Sequence, residues 1–208
     1  MSDYLTDEEQ LDRLKKWWEQ NGLMLAGAVA LAVVGVVGWN WYGESRSAEV
    51  AAASDLYVAY LEATGTEQET IAETLAAEHS GTTYHALVLL RDAQRKSAEE
   101  DFEGALEPLE AALAVVREDS LADIIRLRMA RLEQQLDRSE AALARLADVR
   151  SAGLRSQVQE LKGDIHMARG ERRLAHESYA AALEAAPEDA QPQLLELKVA
   201  DTADANDA

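Results

Sequence analysis

Residues 161–187 read LKGDIHMARGERRLAHESYAAALEAAP, and their spacing decides the architecture. Gly170 interrupts a helical pattern near the middle and Pro187 closes it. Glycine suits a helix end and proline cannot continue a helix, so two antiparallel helices joined by a short turn are predicted. Gly163 and Ala175 stand twelve residues apart, one on each helix. Helices that cross closely need small side chains at the contact, which gives this pair a physical role. The same spacing separates Ala93 from Ala105 and Ala130 from Ala142. The second members fall at intervals of 37 and 33 residues. A period near 34 marks stacked helical hairpins, none of which buries its apolar face alone.

That period is the tetratricopeptide one. The third unit resembles the tetratricopeptide consensus at Gly163 of helix A, at the turn glycine Gly170, and at Ala175, Tyr179, Ala182 and Pro187 of helix B. The first unit matches through Asp101, Phe102, Ala105, Leu109 and Ala112, with Pro108 placed where a missing N–H and a ring clash are expected to kink its helix. The second matches through Ala130, Ala142, Leu143 and Leu146 and has no turn glycine. Outward from these units, no run after Gly43 alternates with the period of a strand. The fold class predicted is all-α: an α-solenoid of helical hairpins over residues 44–199. An extra pair at about 46–63 and 68–79 stacks at the front, and a helix at 190–199 caps the end. Residues 200–208 (ADTADANDA) read as a disordered acidic tail.

Ahead of the solenoid, residues 20–43 contain no ionisable side chain except that of Tyr42, and 23–37 read LMLAGAVALAVVGVV. About 20 apolar residues span a bilayer core. All four tryptophans, Trp17, Trp18, Trp39 and Trp41, flank this run, with Tyr42 beside the last. Trp18 to Trp39 covers roughly 31 Å of helix, and indoles favour the headgroup boundary, so these five residues read as interface collars. The apolar run is too long for a signal peptide and lacks a nearby cleavage site, so an uncleaved anchor is expected. Arg13, Lys15 and Lys16 precede it, whereas Arg46 alone follows before Arg91. That asymmetry predicts residues 1–19 in the cytoplasm and the solenoid across the membrane, which in a bacterium is the periplasm. Within residues 1–19, Thr6 and Glu9 have the spacing of a capping box. Ala28, Ala32, Gly35 and Gly38 gather small side chains toward one face, a surface suited to another membrane helix.

Composition narrows the function. The net charge is −19, and residues 44–208 carry −16 of it, a field that repels nucleic-acid backbones. Cysteine is absent, which removes disulfides, thiol catalysis and thiolate metal sites. The four histidines, His79, His85, His166 and His176, show no metal-binding spacing. Acidic pairs such as Glu99–Glu100 and Glu188–Asp189 fall at predicted turns, where water solvates them and no pKa splitting arises. No enzyme and no cofactor is expected, and the remaining function class is protein binding.

Four stretches together carry a closer resemblance. They are residues 14–22 (LKKWWEQNG), 38–42 (GWNWY), 83–87 (TYHAL) and 161–164 (LKGD). In that order, around a single span, they resemble the YfgM-like ancillary subunits of the bacterial SecYEG translocon. The resemblance implies an inner-membrane protein with a periplasmic tetratricopeptide-like domain. It implies partnership with the translocon and with a membrane-anchored parvulin-type chaperone in helping newly exported proteins. It also implies a cytoplasmic link to an envelope-stress response regulator, and it transfers no catalytic residue. In tetratricopeptide arrays helix A lines the inner face. The matching groove positions here are Gln94 and Ser97, Arg131 and Gln134, and Asp164 and Met167. These mixed polar residues lack the basic cluster that clamps a carboxyl terminus, so a protein surface or unfolded segment is the expected ligand. Two other readings stay open: a scaffold for a different envelope complex, and a signalling protein that holds a response regulator through residues 1–19.

Overall fold

A computed structural model of the chain describes residues 7–187 and 192–203. Among them there is no strand, and the elements are α1 (Asp7–Glu62), α2 (Thr66–Glu78), α3 (Thr83–Ala98), α4 (Phe102–Val115), α5 (Asp119–Gln135), α6 (Ser139–Ala147), a 3-10 turn (Ala152–Leu154), α7 (Arg155–Ala168), α8 (Arg172–Glu184) and α9 (Gln193–Thr202). Contacts divide the chain into two units, one ending at Ala52 and one beginning at Ala53. The apolar run belongs to the first. Hairpins α3–α4, α5–α6 and α7–α8 are the three sequence units, with the end of α1 and α2 before them and α9 after.

The second unit has no single large core. Ala53, Tyr60, Leu75 and Val88 form one cluster; Leu90, Leu109, Ile125 and Met129 anchor the next. Leu127, Leu146, Leu161 and Ile165 anchor a third, and Tyr179 with Leu195 a fourth. Each cluster draws side chains from consecutive helices, so each hairpin is buried only by its neighbours, the mark of a solenoid. The twelve-residue pairs are packed inside the hairpins. Ala93, Ala105, Ala130, Ala142 and Ala175 are buried. A Cβ added to Gly163 would stand 2.3 Å from the Tyr179 ring.

All three turns between helix A and helix B share one backbone solution. Glu100, Asp137 and Gly170 adopt φ of 62°, 58° and 75°. In each, the next residue donates its N–H back five positions: Asp101 to Lys96 O at 2.9 Å, Arg138 to Glu133 O at 2.8 Å and Glu171 to His166 O at 2.9 Å. These are Schellman caps, whose left-handed position favours glycine. Only the third unit has it, so the second unit keeps the turn without the residue that signals it. Left-handed backbone costs a side-chain-bearing residue about 1–2 kcal/mol, partly offset by the greater unfolded-state freedom of glycine. Glu100→Gly and Asp137→Gly are therefore each expected to stabilise the protein by about 0.5–1 kcal/mol, read as a raised urea midpoint at unchanged slope.

α4 continues through Pro108, which is buried, forgoing one hydrogen bond to the Gly104 carbonyl. Asp101 caps that helix by accepting from Gly104 N at 2.9 Å. The two boundaries of α9 differ from expectation. α9 extends to Thr202, past the expected start of the tail at residue 200. Thr202 is 1% exposed, and its hydroxyl donates to Lys198 O at 2.8 Å and lies 3.1 Å from His176 Nδ1. A polar composition concealed a packed final turn. Pro192 stands at the N-cap of α9, so that helix begins at Gln193. Thr6 of the expected Thr6–Glu9 capping pair and residues 204–208 of the tail lie outside what the structure describes.

Candidate protein-binding groove

Helices α3 and α5 are the A helices of adjacent units, and a cleft of about 330 Å³ opens between them. Leu90 and Ala93 of α3, Leu109 of α4 and Leu132 of α5 form its buried floor. Gln94, Ser97, Arg128 and Arg131 complete the lining. Three residues read as groove positions, Gln94, Ser97 and Arg131, thus meet at one opening. Arg128 was not foreseen there. It stands three residues before Arg131 on the same helix, and that spacing was the available signal. α5 also touches α7, where Arg131 donates to Gln157 Oε1 at 3.4 Å. Gln134 is half-buried and stands outside the cleft.

The third unit uses its A-helix positions differently. Asp164 accepts from the Tyr179 hydroxyl at 2.8 Å and from Lys198 Nζ at 2.7 Å. Lys198 also donates to Glu160 Oε1 at 2.8 Å, and its ammonium stands 5.4 Å from the Tyr179 ring centroid. Burial, then the bond to the Asp164 carboxylate, pushes the Tyr179 hydroxyl far above its ordinary pKa. Burial alone would lower Lys198, but its bonds to Asp164 and Glu160 outweigh this and hold it above its usual value. Met167 packs against the cluster of Ala175, Tyr179, Ala182 and Leu195. Asp164 and Met167 are therefore committed to α8 and α9.

Two buried carboxylates, invisible to motif reading, fix the middle of the array. Asp123 is 3% exposed. It accepts from Arg150 N at 3.0 Å, Ser151 N at 2.8 Å, Ser151 Oγ at 2.7 Å and Arg126 at 2.8 Å. Burial raises its pKa, but these hydrogen bonds prevail and hold it below the carboxylate range. Glu133, also buried, receives Arg145 at 2.6 and 2.9 Å, tying α5 to α6. Two of the histidines are likewise engaged locally: His166 Nδ1 lies 2.7 Å from Glu171 Oε2, and His85 Nδ1 lies 3.0 Å from Ser80 O. Among the described residues, no group of three or more His, Asp or Glu could hold a metal ion.

In the first unit the apolar segment is uncovered. Leu23 is 90% and Trp39 78% exposed, and the remaining large aliphatic residues from Met24 to Val37 are exposed as well. Such a run loses roughly 1.5–3 kcal/mol of burial per large residue in water, so its place is lipid. α1 is the one described helix long and apolar enough to cross a membrane, and it fits a membrane anchor. Trp17, Trp18, Trp41 and Tyr42 are exposed at the two ends of the apolar run within α1, with the Trp18 ring 3.2 Å from where a Cβ on Gly22 would sit. Ala28, Ala32, Gly35 and Gly38 are exposed, and nothing lies within 4 Å of a Cβ built on either glycine.

An apolar anchor joined in one chain to stacked helical hairpins defines a membrane-anchored helical-repeat protein. The family described as tetratricopeptide repeat-like domain matches residues 15–204, and the chain belongs to it. Three similar proteins are each named "Ancillary SecYEG translocon subunit". The one from Escherichia coli is 28% identical over 96% of this chain and 98% of its own length. The Haemophilus influenzae protein is 27% identical over 84% and 87%. The Aggregatibacter actinomycetemcomitans protein is 29% identical over 86% and 90%. The resemblance drawn from residues 14–22, 38–42, 83–87 and 161–164 is thus upheld. No solved structure matches the chain.

Proposed function

We propose that this chain is an inner-membrane adaptor of the Sec protein-export machinery. The observation that carries the reading is similarity over nearly the full length, span and repeats together, to proteins named as ancillary translocon subunits. Residues 1–19 lie in the cytoplasm and the solenoid lies in the periplasm, as the basic residues before the span favour. Trp17, Trp18, Trp39, Trp41 and Tyr42 hold the helix at the two interfaces. Ala28, Ala32, Gly35 and Gly38 face a translocon helix, where small side chains let backbones approach. The periplasmic domain then works beside a membrane-anchored parvulin-type chaperone on emerging chains, with Gln94, Ser97 and Arg131 on its contact face. Confinement to one membrane raises the effective concentration of these partners, so individually weak contacts suffice. The domain itself performs no catalysis.

Photocrosslinking from the span tests this. A benzophenone amino acid at Gly35 is expected to yield adducts with translocon subunits, and one at Val37, on the opposite face, far fewer. Equal yields at both positions would remove the small-residue face, and no translocon adduct at either would remove the export reading. Protease added to spheroplasts should digest the solenoid; full protection would reverse the orientation.

A further inference from the structure

We infer that the cleft between α3 and α5 takes a short peptide segment in which a carboxylate side chain neighbours an aliphatic one. The inference rests on the cleft being a contact face, and adds the chemistry of what it contacts.

Charge makes the first argument. The chain has 39 acidic and 20 basic side chains, yet no residue lining this cleft is acidic and two are arginine. Several other arginines are taken up by carboxylates, Arg95 by Asp92 and Glu99, Arg138 by Glu103, Arg145 by Glu133, Arg169 by Glu140 and Glu171, whereas the two at the cleft are not. Arg128 makes no hydrogen bond or ion pair among the described residues. Arg131 has only the neutral Gln157 oxygen at 3.4 Å. Two like charges three positions apart on a helix repel each other, so the pair is mildly costly until an anion arrives. Guanidinium groups bind carboxylates through paired N–H donors, and this pair stands ready for one.

The floor makes the second argument. Leu90, Leu109 and Leu132 offer an aliphatic contact beside the guanidinium groups. Gln94 and Ser97 supply both donors and acceptors for a peptide backbone along the α3 edge. About 330 Å³ sits at the small end of ligand pockets, too small for a folded element and adequate for the side chains of an extended segment. A basic segment is repelled by the arginines. The negative charge of the whole chain does not prevent acidic entry, because screening over about 8 Å at physiological salt leaves the nearest charges dominant. The occupant is therefore a sparsely acidic, leucine-like stretch of a partner or client chain.

The full chain in phosphatidylcholine nanodiscs can be titrated against a dye-labelled peptide of alternating leucine and glutamate with both ends blocked. Empty nanodiscs give the lipid background. Saturable binding is expected, weakened at least about tenfold in R128Q/R131Q, unchanged in R117Q, and reduced by salt. The leucine–glutamine and alanine–glutamate peptides are expected to bind at least about tenfold more weakly. Equal binding by R128Q/R131Q, equal binding of the leucine–glutamine peptide, or no saturable binding would overturn the inference. A benzophenone at Gln94 separates it from the reading beneath. Capture of a partner in cells that persists undiminished in R128Q/R131Q keeps the contact face and removes the acidic class. Loss of capture in that variant supports both.

Discussion

Replacing Gly163 by valine is expected to destabilise the solenoid by about 3 kcal/mol, the upper range of overpacking effects. A bare Cβ at this position already reaches 2.3 Å from one ring carbon of Tyr179 and 2.4 Å from another. The ring has no room to retreat. Tyr179 is 3% exposed, its hydroxyl is held by Asp164, and Lys198 stands over its face. Alanine gains helix propensity over glycine by roughly 0.5–1 kcal/mol, so Gly163→Ala should show a smaller net loss of about 1–2 kcal/mol. Urea denaturation of the detergent-solubilised chain, followed by far-ultraviolet circular dichroism, measures both. The double variant G163V/Y179A provides the decisive comparison, since removing the ring removes the clash. Its loss should fall short of the sum of the single losses by at least about 1 kcal/mol. Strict additivity would mean that the two helices do not meet at this point.

Asp123→Ala is the second large effect, an expected loss of about 3 kcal/mol. The carboxylate closes the segment that joins α6 to α7, and its removal leaves the N–H groups of Arg150 and Ser151 without their acceptor. Asp123→Asn should lose less, because one carbonyl oxygen remains. The same residue gives the protein an acid dependence of definite sign. Its folded pKa lies below the unfolded one, so its contribution is complete above the unfolded value of about 3.9. That contribution is lost as the pH falls through the depressed folded value. Urea midpoints measured from pH 5 downward should therefore fall more steeply for the native protein than for D123N. Parallel slopes would contradict the assignment.

What the sequence disclosed and what it withheld follow from the range of the interactions. Hairpins were readable because the crossings need Gly163, Ala175 and the four alanines before them, and such residues repeat within a short window. The anchor was readable because lipid acts on every residue of the run alike. Asp123 was not, since its partners lie 27 and 28 residues further on and no local pattern marks the pairing. Glu133 and Arg145 were hidden in the same way across a hairpin. The turn of the second unit escaped because Asp137 adopts the backbone that glycine would have announced. Groove positions transferred from the repeat pattern meet at the cleft in the first two units, apart from Gln134. In the third, α9 covers the corresponding surface, and Asp164 and Met167 serve packing instead.

The confinement of every tryptophan to the two ends of the apolar segment has a practical corollary. The helical array contains no indole, so its dominant near-ultraviolet chromophores are tyrosines such as Tyr60 and Tyr179. Native emission excited at the red edge therefore monitors lipid contact and is blind to melting of the hairpins. Insertion and folding become separately observable in one unlabelled sample, by colour of fluorescence for the former and by circular dichroism for the latter.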